Sequence, residues 1–293
     1  MQHVTDSRRQ TASELTATGI RTHWSLPSGT PVQRRGLCTL AQPCLVQVQH
    51  TPRFQFHEAT VLLVAAGQLD LDDGINQISF GAPTSLLLVE PGTCADLLKT
   101  PTGPEKRFRS IFLTLSPALL EVFRRDHPSS LVGSTDRASY QQVLLDEDLE
   151  STLRRVLESL EVRPVSDERL ELRLLDLLLA LAERGHRFKD ARQSGTAGRL
   201  RTLINEAPDQ HWTAHKAGGA LAMSEATLRR RLASEGVRFE DLLVDIRMQY
   251  GLMLLQTTSW SIPRIASACG YQSRARFADR FRARFGYLPS AVR

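Results

Sequence analysis

The apolar positions of this chain change their period near residue 115. Before that point they fall in short runs bounded by turn residues. Residues 44–49 and 68–72 alternate, 60–65 are continuously apolar, and 75–80, 85–89 and 107–115 add further runs. Asp73-Gly74, Gly81, Pro83, Pro91-Gly92 and Gly103-Pro104 separate them. Many short strands at such intervals predict a small antiparallel barrel or jelly roll. Beyond residue 115 apolar residues recur three and four apart, as one face of a helix requires. Ser116-Pro117 starts a helix running through Phe123. Residues 140–160 form a second, with Val143, Leu144, Leu149, Leu153, Val156, Leu157 and Leu160 inward. Asp167 caps a third, in which Leu170, Leu174, Leu177, Leu178 and Leu181 make a broad stripe ending near Gly185. That stripe is either a dimer seam or a face packed on the barrel. A polar break over 190–198 separates all this from the C-terminal third.

The C-terminal third holds the sharpest pattern, and it occurs twice. Ser261 is placed to cap a helix with Pro263 in its first turn, and Ile262, Ile265, Ala266 and Cys269 follow helical spacing. Gly270 ends it in a left-handed turn. A second helix restarts near Ser273 and carries Phe277, Phe281 and Phe285 on one face, with Arg274, Arg276, Arg280, Arg282 and Arg284 on the remainder. Gly286 and Pro289 close the unit. About 48 residues earlier the same order appears. Thr213 caps a helix through Ala217, Gly218 and Leu221; Ala222-Met223 makes the turn; Ser224 caps a helix with Leu228 and Leu232 inward beside Arg229, Arg230 and Arg231. A long amphipathic helix over 239–256 joins the copies, its apolar side formed by Phe239, Leu242, Leu243, Ile246, Leu254 and Leu255.

Two helix-turn-helix units on one connecting helix resemble the DNA-binding domain of the AraC/XylS transcription regulators. The resemblance rests on Ser224, Leu228, Arg247, Leu254-Leu255, Ile262, Ile265-Ala266, Gly270-Tyr271, Ser273, Phe277, Phe281, Phe285-Gly286, Pro289-Ser290 and Arg293, and covers about a third of the chain. The chain departs at Gly218 and Gly251, where the family has alanine, at Ala222, where it has the turn glycine, and at Val292, where tyrosine is usual. The resemblance implies an α+β protein of two domains: an N-terminal antiparallel, cupin-like β barrel followed by helices, and a C-terminal all-α tandem helix-turn-helix domain. The expected boundaries are a flexible tail over 1–20, a cupin-like sensing domain over 21–128, a helical linker and dimerisation region over 129–192, and the DNA-binding domain over 193–293. By position it implies Ala226, Arg229 and Arg230 at the bases in the first unit, and Arg274, Ala275, Ala278 and Asp279 in the second. An arginine chelating guanine O6 and N7 contributes about 1–3 kcal/mol of discrimination. Asp279 either accepts from cytosine N4 or pairs within its helix with Arg276 or Arg282. Arg280 and Arg284 are expected at phosphates, and Lys216, Arg238 and Arg264 are further phosphate candidates.

Charge placement agrees with such a partner. From Arg199 onward there are 15 Lys+Arg and 8 Asp+Glu, a net of +7, whereas the preceding residues hold 22 basic and 24 acidic ones, a net of −2. The positive balance lies in the helix-turn-helix region, as binding to a polyanion requires. Cys38, Cys44, Cys94 and Cys269 have no framework spacing, and reduced thiols are expected. Residues 1–20 contain no apolar leader core, and the leucine-rich run 174–182 is too short for a span and holds Asp176, so a cytoplasmic protein with no membrane partner is expected. An iron site of the kind cupins carry needs two histidines and a carboxylate. Only His50, His57 and Glu58 lie in the β region, without an HxH pair, so neither metal nor cofactor is expected, and no catalytic signature is present. The resulting reading is a transcription activator, not an enzyme. Its partners are double-stranded DNA, RNA polymerase, a small-molecule or protein effector, and a second copy of the chain. The rival is a cupin-type metal-dependent enzyme that uses the helix-turn-helix for targeting. Gly218→Ala is expected to be neutral or slightly stabilising, since alanine is the better helix former.

Overall fold

A strand that is apolar at all but one position needs cover on both faces, and Ala59–Ala66 receives it over its first six residues. The computed structural model describes Trp24 and residues 29–81, 83–128, 138–161, 165–189 and 195–293. The expected tail over 1–20 and most of the polar break lie outside the described residues. The strands are Val32–Arg34 (β1), Cys38–Ala41 (β2), Cys44–Leu45 (β3), Gln49–Gln55 (β4), Ala59–Ala66 (β5), Gln68–Asp72 (β6), Gln77–Phe80 (β7), Ser85–Val89 (β8), Cys94–Thr100 (β9), Phe108–Leu115 (β10) and Tyr140–Leu144 (β11). They form two antiparallel sheets. One has the order β1-β2-β10-β5-β8-β11, with β3 also on β10; the other has the order β4-β9-β6-β7. Helix Pro117–Asp126 (α1) lies between β10 and β11, and Glu147–Glu161 (α2) and Asp167–Glu183 (α3) come after β11; all three pack on the larger sheet.

The period of two divides the larger sheet cleanly. Val61, Leu63, Leu86, Leu88, Ile111 and Leu113 point to the helices and share a core with Leu149, Leu153, Leu170 and Leu174. Leu62, Val64, Leu87, Val89, Phe108 and Phe112 point the other way, toward Leu69, Leu71 and Leu97 of the smaller sheet. The leucine stripe of α3 is therefore committed. Leu170, Leu174, Leu177, Leu178 and Leu181 are all buried in the intramolecular core, which takes them out of any dimer seam.

Two local expectations are corrected. The alternation over 44–49 does not make one strand: β3 ends at Leu45, Val46 and Val48 are 56% and 63% exposed, and pairing resumes at Gln49. Residues 140–160 are not one helix. Tyr140–Leu144 pairs along the whole of β8, and Asp146 then starts the helix by accepting from Leu149 N at 2.9 Å. Tyr140 and Val143, three apart, would share one face of a helix, whereas in the strand they fall on opposite faces, Val143 toward the helices and Tyr140 toward the smaller sheet, and the open edge of β8 decides between the two.

The C-terminal helices are Thr196–Glu206 (α4), Ala214–Ala220 (α5), Glu225–Ser234 (α6), Phe239–Thr257 (α7), Ile262–Ala268 (α8) and Arg274–Phe285 (α9), followed by a 3-10 turn over Pro289–Val292. Thr213, Ser224 and Ser273 cap their helices, each side chain accepting from the backbone N–H three residues on. Ser261 caps by conformation only, with Pro263 in the first turn. Both units close with the same bond: Met223 N donates to Gly218 O and Tyr271 N to Ala266 O, each at 2.9 Å. The second unit makes the left-handed turn with Gly270 at φ +75°, whereas the first forces Ala222 to φ +56°, a conformation costing an L-residue roughly 1–2 kcal/mol. Phe277, Phe281 and Phe285 are buried beneath α7 as expected.

The neighbouring glycines of α5 differ sharply. A Cβ on Gly218 would lie 2.9 Å from Met223 O, whereas one on Gly219 would meet nothing within 4 Å. This corrects the expectation for Gly218. The gain in helix propensity, about 1 kcal/mol, is opposed by overpacking against backbone of about 1–3 kcal/mol. Gly219→Ala should therefore raise Tm and Gly218→Ala should lower it. Paired thermal melts check this, and a Gly218→Ala variant as stable as Gly219→Ala would show that the turn yields to the methyl group.

Candidate nucleic-acid interface and interdomain cavity

Burial of one face of each second helix leaves the opposite face to solvent. In α6, Leu228 and Leu232 are buried while Ala226, Arg229 and Arg230 are exposed. Arg229 is tied to Glu225 at 3.0 Å and to Glu240 at 2.9 Å. Such exposed pairs are screened by solvent and exchange readily for a phosphate or base. Arg230 forms no ion pair among the described residues. In α9 the exposed set is Arg274, Ala275, Asp279 and Arg280, and Ala278 is half-buried. Asp279 makes no ion pair with Arg276 or Arg282 among the described residues, so the pairing considered from sequence is not formed.

Arg284 faces the other way and is only 13% exposed. Its Nε donates to Asp245 Oδ1 at 2.5 Å, and its Nη atoms donate to Pro52 O at 3.0 Å and Arg53 O at 2.7 Å. Those carbonyls belong to a bulge in β4, where Arg53 takes φ +47°. Arg284 is thus an interdomain anchor rather than a free phosphate ligand. Of the further phosphate candidates, Lys216 lies over Trp212, Arg264 stacks 3.8 Å from the Trp260 ring centre, and Arg238 pairs with Asp241 at 2.8 Å.

Where the two domains meet they form a half-open cavity of about 670 Å³. Its floor is the inner face of the larger sheet, including Thr39, Thr60, Phe112 and Thr114; its roof comes from α4 and from Ile246 and Gln256 of α7. Lys99 enters from β9 and is 3% exposed. Its Nζ donates to Gln256 Oε1 at 2.8 Å and lies 5.2 Å from the Phe112 ring centre. Burial alone lowers its ammonium to about 7, because removing charge from water is costly without a counter-ion. Glu58 lines the same cavity, and burial pushes its carboxyl above the usual range. His57 is lowered to about 4, by burial first and then by Arg201. His50 instead sits on the exposed edge of β4, 3.6 Å from Asp96, and among the described residues no three histidine, cysteine or acidic side chains converge.

Lys99 is the site residue that sequence reading missed. The signal was present: Ala95, Leu97 and Lys99 occupy the inward phase of β9, so a lysine stands where the alternation requires an apolar residue.

Residues 218–293 match the family model of a helix-turn-helix domain. Over 91 residues the chain is 37% identical to the urease operon transcriptional activator of Escherichia coli, covering 31% of each protein. Over 96 residues it is 33% identical to the HTH-type transcriptional regulator YdeO of Escherichia coli strain K12, covering 33% of this chain and 38% of YdeO. The chain spans about a third of the length of these curated relatives. Among solved structures, ToxT of Vibrio cholerae aligns over 88% of this chain and 97% of its own, with a TM-score of 0.61 at 16% identity. The C-terminal region is an AraC-type helix-turn-helix domain. Over that aligned part the chain shares the two-domain fold of ToxT, an antiparallel-sheet domain followed by a helical one.

Lys99 also makes a pH signature. Its folded value, about 7, lies below the ordinary 10.5. Between those values the unfolded chain holds a proton that the folded chain lacks, so this group's contribution makes stability rise with pH across that window. Lys99→Met should therefore raise Tm near neutrality, and its advantage over the parent should shrink toward about pH 10. Thermal melts of both proteins across the range test this; an advantage that is absent at neutrality or independent of pH would show that Lys99 folds without a desolvation penalty.

Proposed function

We propose that this chain is a sequence-specific DNA-binding transcription regulator, acting as an activator, whose N-terminal domain receives an effector. The observation that carries this is the pair of recognition helices on one rigid connector. Both α6 and α9 present exposed arginines, and α7 holds their units together through Leu242 and Ile246 at one end and Leu252, Leu254 and Leu255 at the other. At 1.5 Å per residue α7 is about 28 Å long, close to the one helical turn of about 34 Å that separates successive major grooves. Ala226, Arg229 and Arg230 of the first unit, and Arg274, Ala275, Ala278 and Asp279 of the second, are proposed at the bases, with Arg280 at a phosphate. Arg284 is left out of that set because of its interdomain bonds.

The effector reading rests on the cavity. Solved structures of ToxT include one bound to an unsaturated fatty acid and one bound to (E)-4-(8-methylnaphthalen-1-yl)but-3-enoic acid, both apolar acids. An apolar acid suits this cavity as well, with its body among Phe54, Phe56 and Met253 and its carboxylate as the counter-charge that Lys99 lacks. We place the protein in the cytoplasm with RNA polymerase as a partner, and read the sheet domain as cupin-like. Dimerisation is placed on the outer face of the helical middle, where Leu172 is 67% exposed, rather than on the buried leucine stripe.

Binding titrations of the full chain test the DNA assignment. Arg230→Ala is expected to relax preference at one or two base pairs, whereas Arg280→Ala should weaken all sequences alike and shallow the salt slope by about one. For about 6–10 phosphate contacts, affinity should fall roughly 10³–10⁵-fold between about 50 and about 200 mM salt. A salt-independent affinity, or none for any DNA, would overturn the assignment.

A further inference from the structure

The two helix-turn-helix units repeat a pairing of side chains as well as a backbone. Trp212 and Trp260 lie 48 residues apart, each just before the N-cap residue of its unit's first helix, Thr213 for α5 and Ser261 for α8. Four residues on, again 48 apart, stand Lys216 and Arg264. In both units the cation lies over the indole. Lys216 Nζ is 5.6 Å from the Trp212 ring centre, and the Arg264 guanidinium carbon is 3.8 Å from that of Trp260. The rings are fixed by the protein behind them. Trp212 is buried, with Nε1 donating to Ala207 O at 2.8 Å, and Trp260 is half-buried against the core of the second unit.

The cations themselves are exposed, and among the described residues neither side chain forms an ion pair or a hydrogen bond. Arg229 and Arg238 differ, since their charge is matched by Glu225, Glu240 and Asp241. A carboxylate neutralises the cation it holds, whereas an aromatic face orients it and leaves its charge and N–H donors available. The first helix of a helix-turn-helix unit crosses the phosphate backbone while the second enters the groove, so a cation on α5 or α8 is placed for phosphate rather than for bases.

We propose that Trp212–Lys216 and Trp260–Arg264 are a duplicated phosphate clamp, in which the cation binds a DNA phosphate and the indole is the positioning residue that aims it. This rests on the reading of the chain as a DNA-binding regulator and adds the two tryptophans to its binding machinery. With the units in successive grooves, the clamped phosphates lie about one helical turn apart. The second clamp is the tighter, because a planar guanidinium at 3.8 Å stacks on its ring and an ammonium at 5.6 Å only approaches it.

Titration of the full chain with a fluorescently labelled random-sequence duplex of about 30 base pairs, roughly three helical turns, at several salt concentrations tests the proposal. Lys216→Ala and Arg264→Ala should each shallow the salt slope by about one, and the double variant by about two. Trp260→Leu keeps the cation and removes its platform. It should weaken binding about two- to fivefold, and Trp260→Phe should recover most of that loss. In the Trp260→Leu background Arg264→Ala should cost less than in the parent, because the two side chains act as one unit. A variant of either cation that keeps the parent's slope, or Trp260→Leu and Arg264→Ala losses that simply multiply, would overturn the clamp and leave DNA binding standing. A parent protein that binds no duplex would overturn both. The cation variants alter only exposed side chains, so they can refute the clamp even where Trp260→Leu does not fold.

Discussion

Helix α7 must satisfy three surfaces at once. Its first half packs Phe239, Leu242 and Ile246 into the core of the first helix-turn-helix unit. Its second half packs Leu252, Leu254 and Leu255 with the phenylalanines of the second unit. Between them Ile246, Gln249, Tyr250, Met253 and Gln256 line the cavity shared with the sheet domain. Gly251 shows how tight this is, since a Cβ there would lie 2.9 Å from Phe277 Cε2 and 3.2 Å from Cys269 Sγ. Packed on three sides, with Glu240 and Asp241 exposed in its first turn, the helix shows no strong amphipathic stripe.

The polar bonds that cross the domain boundary concentrate on the second unit. Lys99 donates to Gln256, Gln256 donates to Gln49, and Gln49 donates to Tyr287 at 3.3 Å. Arg284 adds its bonds to the carbonyls of Pro52 and Arg53. The first unit reaches the sheet domain through α4, where Glu206 meets Arg35 at 2.8 Å on a largely exposed surface. Buried bonds of the first kind hold geometry far better than an exposed pair does. Seating of the sheet domain is therefore fixed chiefly by the second recognition unit and the end of α7.

The C-terminal domain was legible in sequence because its signals are local. Caps at Thr213, Ser224 and Ser273, the glycine turn at Gly270 and a four-residue aromatic spacing each act within one or two turns of helix. The strands were legible where the pattern was pure, as in β5, β6 and β8, and lost where a neighbour decided. Tyr140–Leu144 became a strand because β8 offered an edge, and Cys94–Thr100 was hidden by its inward lysine. Arg284 was misplaced for a related reason: helical spacing tells which face it shares but not that a bulge of β4 waits there. Gly218 was misjudged because propensity is a property of one residue, whereas the Met223 carbonyl that limits it comes from the next turn.

Two recognition helices on one rigid connector are proposed to read neighbouring major grooves of DNA. Genome-wide mapping of the DNA bound by the full chain, followed by footprinting of the strongest sites, tests it most directly. The expected result is a bipartite site whose two protected parts lie on one face of the duplex, about one helical turn, roughly 10 base pairs, apart. Binding without sequence preference, or protection of a single groove only, would contradict it.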